Sequence, residues 1–251
     1  MAAGPSIDAL GQFRLATSLG PIGASVNFTN ANLMMVLASA LVLALFGLGM
    51  RPRALVPGRL QACAEMGYEF VANFCGDIIG EGWQPFFPFV FTLFFFILFG
   101  NLVGLFPYFF AFTSHIAVTA GLAVIVFVLT IIVGLVKHRL HFFGYFLPAG
   151  APTLLAPVLV PIEILTFFSR PVSLSIRLFA NIVAGHVLWE VFAGFMLILA
   201  AALGVAGIAA GVLPLAINVV LVGFELLVAG LQAYVFAVLT CLYLHDAVHL
   251  H

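Results

Sequence analysis

The sequence is short of charge. Asp, Glu, Lys and Arg make up 7% of the 251 residues while 65% are hydrophobic, against about a quarter charged in an ordinary soluble domain. Eight basic and nine acidic side chains cannot cover a surface in contact with water. A soluble globular fold is excluded, and most of the chain is expected to face lipid. A net charge of -1 leaves no basic footprint for nucleic acid, so no partner of that class is expected. Lysine is nearly missing: Lys137, the only one, stands in Gly134-Leu-Val-Lys137-His138, which cannot be the GK[ST] of a phosphate loop, and neither HExxH nor GxSxG occurs. The chain is therefore not expected to hydrolyse nucleotide by itself. Cys63, Cys75 and Cys241 lie too far apart for a CxxC or zinc spacing and read as small residues that tolerate apolar surroundings. No metal or other cofactor is expected, because haem would need paired histidines at lipid depth and only His186 lies deep in an apolar run. His138, His141, His245, His249 and His251 fall at segment ends and are expected to be solvated. The first 30 residues lack a basic stretch leading at once into an apolar run, so they are not expected to be a cleaved signal peptide.

What is present instead is a set of long apolar runs. Residues 31–50 can cross a hydrocarbon core of about 30 Å at about 1.5 Å per residue. The stretch from Glu81 to Lys137 carries no charge between its ends, is too long for one helix, and is interrupted by Gly104, Pro107 and Thr113-Ser114-His115. It is expected to form a hairpin within residues 83–136, its two crossings at 86–110 and 116–136. After a loop at 137–154 come two longer segments, 155–201 and 212–245, joined by the Gly/Ala-rich stretch around Gly204, Gly207 and Gly211. Each exceeds what a perpendicular crossing needs, so strong tilt is expected. Five crossings define the fold class, an all-α membrane protein.

Within residues 51–82, Leu60, Ala64, Gly67, Val71, Phe74 and Ile78 recur at spacings of four and three, with Glu65 and Glu69 on the other side. This is the pattern of an amphipathic helix lying on the membrane surface or docking a neighbouring subunit. Gly100-Asn-Leu-Val-Gly104 and Gly207-Ile-Ala-Ala-Gly211 match the small-xxx-small spacing of close helix packing. Because 83–136 is a hairpin, Arg51, Arg53 and Arg59 share a side with Lys137 and Arg139. Five basic residues against Arg14 alone mark that side as cytoplasmic, with the N-terminal segment 1–30 outside and the C-terminus inside.

Five charges remain within the apolar segments: Glu163, Arg170, Arg177 and Glu190 in the fourth crossing and Glu225 in the fifth. An arginine at a helix centre costs about 2.5–3.5 kcal/mol on insertion scales, so its presence points to a use or a partner. Arg170 precedes Pro171 near the start of its segment, where it can snorkel, whereas Arg177 is deeper. At 100° per residue, Glu163, Arg170, Ser173 and Asn181 all fall within about 40° of Arg177, a single polar stripe, while His186 and Glu190 share the opposite face. In the fifth crossing Asn218, Glu225 and Gln232 are seven apart and Asp246 is fourteen further on, all on one face with slow drift. Polar residues in register around a mid-helix carboxylate are expected of an aqueous or proton-conducting lining. Glu163, His186, Glu190 and Glu225 can change protonation state, but Arg177 stays charged at any working pH. Its role is expected to be electrostatic, favouring the ionised form of a carboxylate brought near it and barring a passing positive charge. Two other functions fit an intramembrane arginine: a stand-alone secondary transporter holding an anion at midplane, although such folds often show internal repeats and none is evident here, and a structural subunit of a respiratory complex whose charges merely pair helices.

Pro171-Val-Ser-Leu-Ser-Ile-Arg177-Leu-Phe-Ala-Asn181-Ile-Val-Ala-Gly-His186 resembles the signature of subunit a of the F-type ATP synthases. Glu225-Leu-Leu-Val-Ala-Gly-Leu-Gln232-Ala-Tyr-Val-Phe and Gly100-Asn101-Leu-Val-Gly-Leu-Phe-Pro107 agree with it. The resemblance runs from about residue 84 to the end, and the N-terminal third shares only the layout. It implies a static subunit whose Arg177 faces the carboxylate of each passing subunit of a rotating c-ring, between two offset proton half-channels. It also implies last helices curved along that ring, peripheral-stalk b subunits as further partners, and an energy-transducing inner membrane, that of a bacterium ahead of that of a mitochondrion. Carried over by position, Asn181, His186, Glu225 and Gln232 line the exterior half-channel with Glu190 nearby, and Glu163 belongs to the cytoplasmic exit. Ser173 is expected beside Glu163 on the cytoplasmic side, and Asn101, Asn218 and Arg170 are expected to support the path. Some bacterial members carry Glu at the place of His186 and His at that of Glu225. Here the pair is exchanged, as in mitochondrial and related bacterial forms, and the relay chemistry is implied to survive the exchange.

Overall fold

The computed structural model describes residues 28–51, 57–106, 109–139 and 156–249. Arg14 with the rest of the N-terminal segment, Arg53, the loop containing His141, and His251 lie outside the described residues. Six α-helices carry most of what is described: α1 (Asn30–Gly49), α2 (Arg59–Ile79), α3 (Phe87–Gly104), α4 (Ile116–His138), α5 (Ala156–Leu203) and α6 (Val205–Val248), with a short 3-10 turn at Phe112–Ser114. All but α2 are long and apolar enough to cross a membrane. This is the all-α membrane fold expected from the composition.

In α2 the buried positions are Gln61, Ala64, Val71, Phe74, Cys75 and Ile79, a face rotated slightly from the one expected. Leu60 is 49% exposed, and Gln61 takes the inner position because its Nε2 donates to Glu65 Oε1 at 2.7 Å. A polar side chain turned inward with that partner leaves less to desolvate.

The first half of the hairpin ends at Gly104, short of the expected 110. The chain then folds back, and a methyl group on Gly100 would strike the Phe112 ring, while one on Gly104 would come within 2.7 Å of the Ala111 Cβ. The Gly100/Gly104 notch thus receives the chain's own return segment instead of another membrane helix. The Gly/Ala-rich stretch after α5 is likewise not a linker. Alanine favours helix, and the break is confined to Gly204, whose φ of 56° suits a residue without Cβ. Beyond it α6 returns along α5: Gly207 lies against the Leu199 carbonyl, and a Cβ on Gly211 would be 3.1 Å from Met196 Cγ. With 48 and 44 residues, α5 and α6 are about 72 and 66 Å long. That is more than twice a hydrocarbon core of about 30 Å, so neither can stand perpendicular within it.

The described chain divides into two compact units. The first takes the described parts of Met1–Val42, Phe96–His115 and Phe179–Gln232, and the second those of Leu43–Phe95, Ile116–Leu178 and Ala233–His251. The second is held by aromatic contacts: Phe46 lies 4.8 and 4.7 Å from Phe91 and Phe95, Tyr68 lies 4.8 Å from Phe87, Tyr234 lies 5.8 Å from both Phe70 and Phe74, and Phe127 lies 5.0 Å from Phe167. Each such pair adds about 0.5–1.5 kcal/mol beyond area burial. This matters because lipid tails are as apolar as leucine, and helix association in a bilayer must come from packing. Cys75 and Cys241, remote in sequence, meet here with Sγ atoms 3.6 Å apart, whereas Cys63 is exposed.

Candidate functional site

In the first unit, α6 runs back alongside α5 from the Gly204 turn, which carries Glu225 to His186. The imidazole Nε2 stands 3.7 Å from Glu225 Oε1, with side-chain exposures of 9% and 8%. The sequence placed Asn181 and His186 on different faces of their helix, and Gly185 reconciles the two. It lies at an angle between them, and a methyl group there would sit 2.8 Å from Glu225 Oε1. The missing side chain is the space the carboxylate occupies. Beside it a cavity of about 270 Å³ is lined by Asn181, Gly185, Leu188, Glu225, Leu231 and Gln232. A water in the liquid occupies about 30 Å³, so several fit. Glu225 Oε1 is buried without a hydrogen-bond partner among the described residues. A carboxylate in that position must be solvated, paired or neutral, and the cavity offers it the first of these.

Asn101 Nδ2 donates to the Ala229 carbonyl at 3.2 Å. Ala229 lies one turn beyond Glu225, so α3 braces the stretch of α6 that carries the carboxylate. Asn218, buried two turns before Glu225, has a carboxamide oxygen with no partner among the described residues and borders a second cavity of about 270 Å³ with Trp189, Phe192, Met196 and Leu215. Glu190 is half-buried one turn past His186. The structure thus brings His186, Glu225, Asn181 and Gln232 to one place, with Asn218 two turns away along α6.

The remaining candidates belong to the second unit. Arg177 is exposed and has no ion pair among the described residues. Glu163 is half-buried and Ser173 exposed, and neither shows a hydrogen bond or ion pair among the described residues. Arg170 does not snorkel unaccompanied. Its Nη1 donates to Asp246 Oδ2 at 3.1 Å, and its Cζ lies 5.8 Å from the Phe167 ring centroid and 5.1 Å from that of Tyr243. The buried hydroxyls of Thr119 and Ser175 are 3.2 Å apart. His138 and His245, expected to be solvated, instead bond to backbone: His245 Nδ1 donates to the Ile79 carbonyl at 3.2 Å, and His138 Nε2 to that of Val248 at 3.1 Å. His249 is exposed.

Sequence reasoning missed three features. Gly185 could have been found from its place beside His186. Asp246 was assigned to the polar face of its helix but not to Arg170. Nothing in the sequence signals that Thr119 meets Ser175. Among the described residues no group of three His, Cys, Asp or Glu side chains could hold a metal ion. Chemically, a carboxylate and an imidazole within 4 Å beside a cavity can take up and release protons, whereas an arginine held outward can only attract or repel.

A family model described as ATP synthase A chain matches residues 32–245. The chain is 65% identical to the ATP synthase subunit a of Granulibacter bethesdensis and 59% identical to that of Acidiphilium cryptum, each over 251 residues and the whole of both chains. It is 47% identical over 234 residues to the ATP synthase subunit a of Rhodospirillum rubrum, covering 93% of this chain and 94% of that one.

Proposed function

The chain belongs to the ATP synthase subunit a family, and from that premise we propose that it forms two offset proton half-channels and, through Arg177, couples proton flow to rotation of a c-ring. The observation that carries the reading is the exposure of Arg177 on a helix whose other exposed side chains are largely apolar. A permanent cation at such a place is supported by a partner that brings it an anion, and the carboxylates of a turning ring are such a partner. Asn181, His186, Glu225 and Gln232 serve the exterior half-channel, with Glu190 and Asn218 beyond them, and Asn101 as brace. Glu163 and Ser173 serve the cytoplasmic one. The N-terminus lies outside and the C-terminus inside a bacterial inner membrane, with peripheral-stalk b subunits as further neighbours.

A proton reaching Glu225 through the cavity passes to a ring carboxylate. Neutralised, that carboxylate can turn into lipid. Once the ring brings it round to the cytoplasmic half-channel, it gives up the proton and is drawn as an anion to Arg177. The guanidinium prevents protons from running straight between half-channels, so flow obliges rotation. One charge crossing 100 mV yields about 2.3 kcal/mol and one pH unit about 1.4 kcal/mol, so several protons must pass for each nucleotide made.

The test is purification from mild detergent followed by reconstitution. A ring of small hairpin proteins and a soluble ATPase head should accompany this chain, and vesicles carrying the complex should make ATP when the membrane face opposite the head is made acid. A monodisperse chain that by itself moves a small anion across vesicles would overturn the reading in favour of a transporter.

A further inference from the structure

We infer that Asp246 is a positioning residue for Arg177: it cancels the charge of Arg170, so that α5 presents one cation to its partner and not two, and it fixes the helix on which Arg177 stands. The inference rests on the electrostatic role proposed for Arg177. Arg170 and Arg177 belong to the same compact unit and lie seven residues apart, about 10.5 Å along the helix and only about 20° around it. Alone, either guanidinium would meet an anion passing that face. What separates them is their surroundings. Arg177 is exposed, whereas the Arg170 side chain is 19% exposed, bonded to Asp246 at 3.1 Å and flanked by the rings of Phe167 and Tyr243.

Asp246 is itself held in place. It belongs to the last turn of α6, where His245 bonds to the end of α2 and His138 of α4 bonds to the Val248 carbonyl. Three helices therefore converge on four residues, and the carboxylate among them is a fixed counter-charge. Without it Arg170 would become a second attractor two turns from Arg177. A ring carboxylate would then be held at the wrong stage of its passage, and rotation would stall even with every helix folded.

The experiment compares Asp246→Asn with the double variant Arg170→Gln, Asp246→Asn in the assembled complex, reconstituted in vesicles, with proton-driven ATP synthesis as the readout. Asp246→Asn keeps size and shape but removes the negative charge that faces Arg170. Synthesis should fall about five-fold, the factor that corresponds to about 1 kcal/mol for a partly exposed ion pair. The double variant removes both charges and should return to within about two-fold of the unsubstituted complex, since deleting a pair costs less than orphaning one member. A role confined to packing would leave the double variant as impaired as the single, and that result, or unchanged synthesis in Asp246→Asn, overturns the inference. Should Asp246→Asn fail to assemble, the double variant decides: assembly with synthesis supports the charge-balance role, and failure of both refutes it. Arg177→Ala in the same vesicles separates the two layers of the argument. If it also makes ATP normally, the role of Arg177 is wrong. If it is inactive while Asp246→Asn is normal, only the assignment of Asp246 fails.

Discussion

In the first compact unit His186 and Glu225 turn inward. They are buried beside a cavity of about 270 Å³, and one carboxylate oxygen has no hydrogen-bond partner among the described residues. In the second unit Arg170 is closed into a pair with Asp246, and Arg177 is turned outward. Under the proposed function, the difference separates three uses of charge in a medium that penalises it. A group that trades protons is kept where water can stand beside it but is not fully satisfied by protein, since a saturated carboxylate has no reason to change state. A group that only holds helices together is neutralised at once. A group that must meet a moving partner is left without an internal one. Replacing side chains of each kind should therefore produce losses of different size and character.

The largest loss is expected at the outward charge. Arg177→Ala should leave the complex assembled and proton-driven ATP synthesis undetectable, a fall beyond about a hundred-fold, as for the removal of other groups that stabilise a developing charge. Synthesis at even a tenth of normal in reconstituted vesicles would show that the exposed arginine is not the gate. Next in size is the inward carboxylate. Glu225→Gln removes a titrating group and should slow proton uptake from the exterior side by about ten-fold or more, while Glu163→Gln should slow it less. Equal effects in oriented vesicles would erase the assignment of sides.

Gly185→Ala sharpens the comparison, because it changes no polar group. Its methyl would stand 2.8 Å from Glu225 Oε1, too close for a non-bonded carbon–oxygen contact, so the carboxylate must swing away from the imidazole. Overpacking of this kind costs about 1–3 kcal/mol, and synthesis should fall about five-fold. Shortening the acid in the same background, Gly185→Ala with Glu225→Asp, should recover part of the loss. No recovery would mean that Gly185 serves backbone packing and not the carboxylate.

Much of this was legible in the sequence, and the reason is the scarcity that opened it. Where charged residues are few, each intramembrane one stands out, and the seven-residue spacing of Asn218, Glu225 and Gln232 placed all three on what proved to be a buried face. The five crossings followed from apolar length alone. What could not be read were meetings between segments remote in the chain. No local pattern tells Asp246 that Arg170 is its partner, or Cys75 that Cys241 is its neighbour. The Gly/Ala-rich stretch around Gly204 misled for a local reason: glycine ordinarily marks a loop, but between two long helices one residue of positive φ suffices to turn, and the remaining glycines serve to bring the helices close. The Gly100/Gly104 pair misled in the opposite sense, since its notch proved to hold the chain's own Phe112.

The smallest effect is expected at Asn101, and it tests whether bracing can be told apart from conduction. Its amide donates to the carbonyl of Ala229, within the helix that carries Glu225, while its own oxygen is buried without a partner among the described residues. Asn101→Ala deletes one buried hydrogen bond, worth about 1 kcal/mol, which for a chain of this length corresponds to a fall in Tm of about 2–4 °C. The Ala229 carbonyl retains its place in the helix, so the carboxylate one turn earlier should stay where it is and ATP synthesis should change by less than about two-fold at that cost. Thr119→Val in the second unit, which deletes the hydroxyl facing Ser175, gives the matching control: a similar thermal shift, with no effect on uptake from either side. If Asn101→Ala instead lowers synthesis as far as Gly185→Ala while leaving Tm unchanged, its unsatisfied oxygen belongs to the proton path, and the first unit conducts over a longer stretch than the His186 and Glu225 pair marks out.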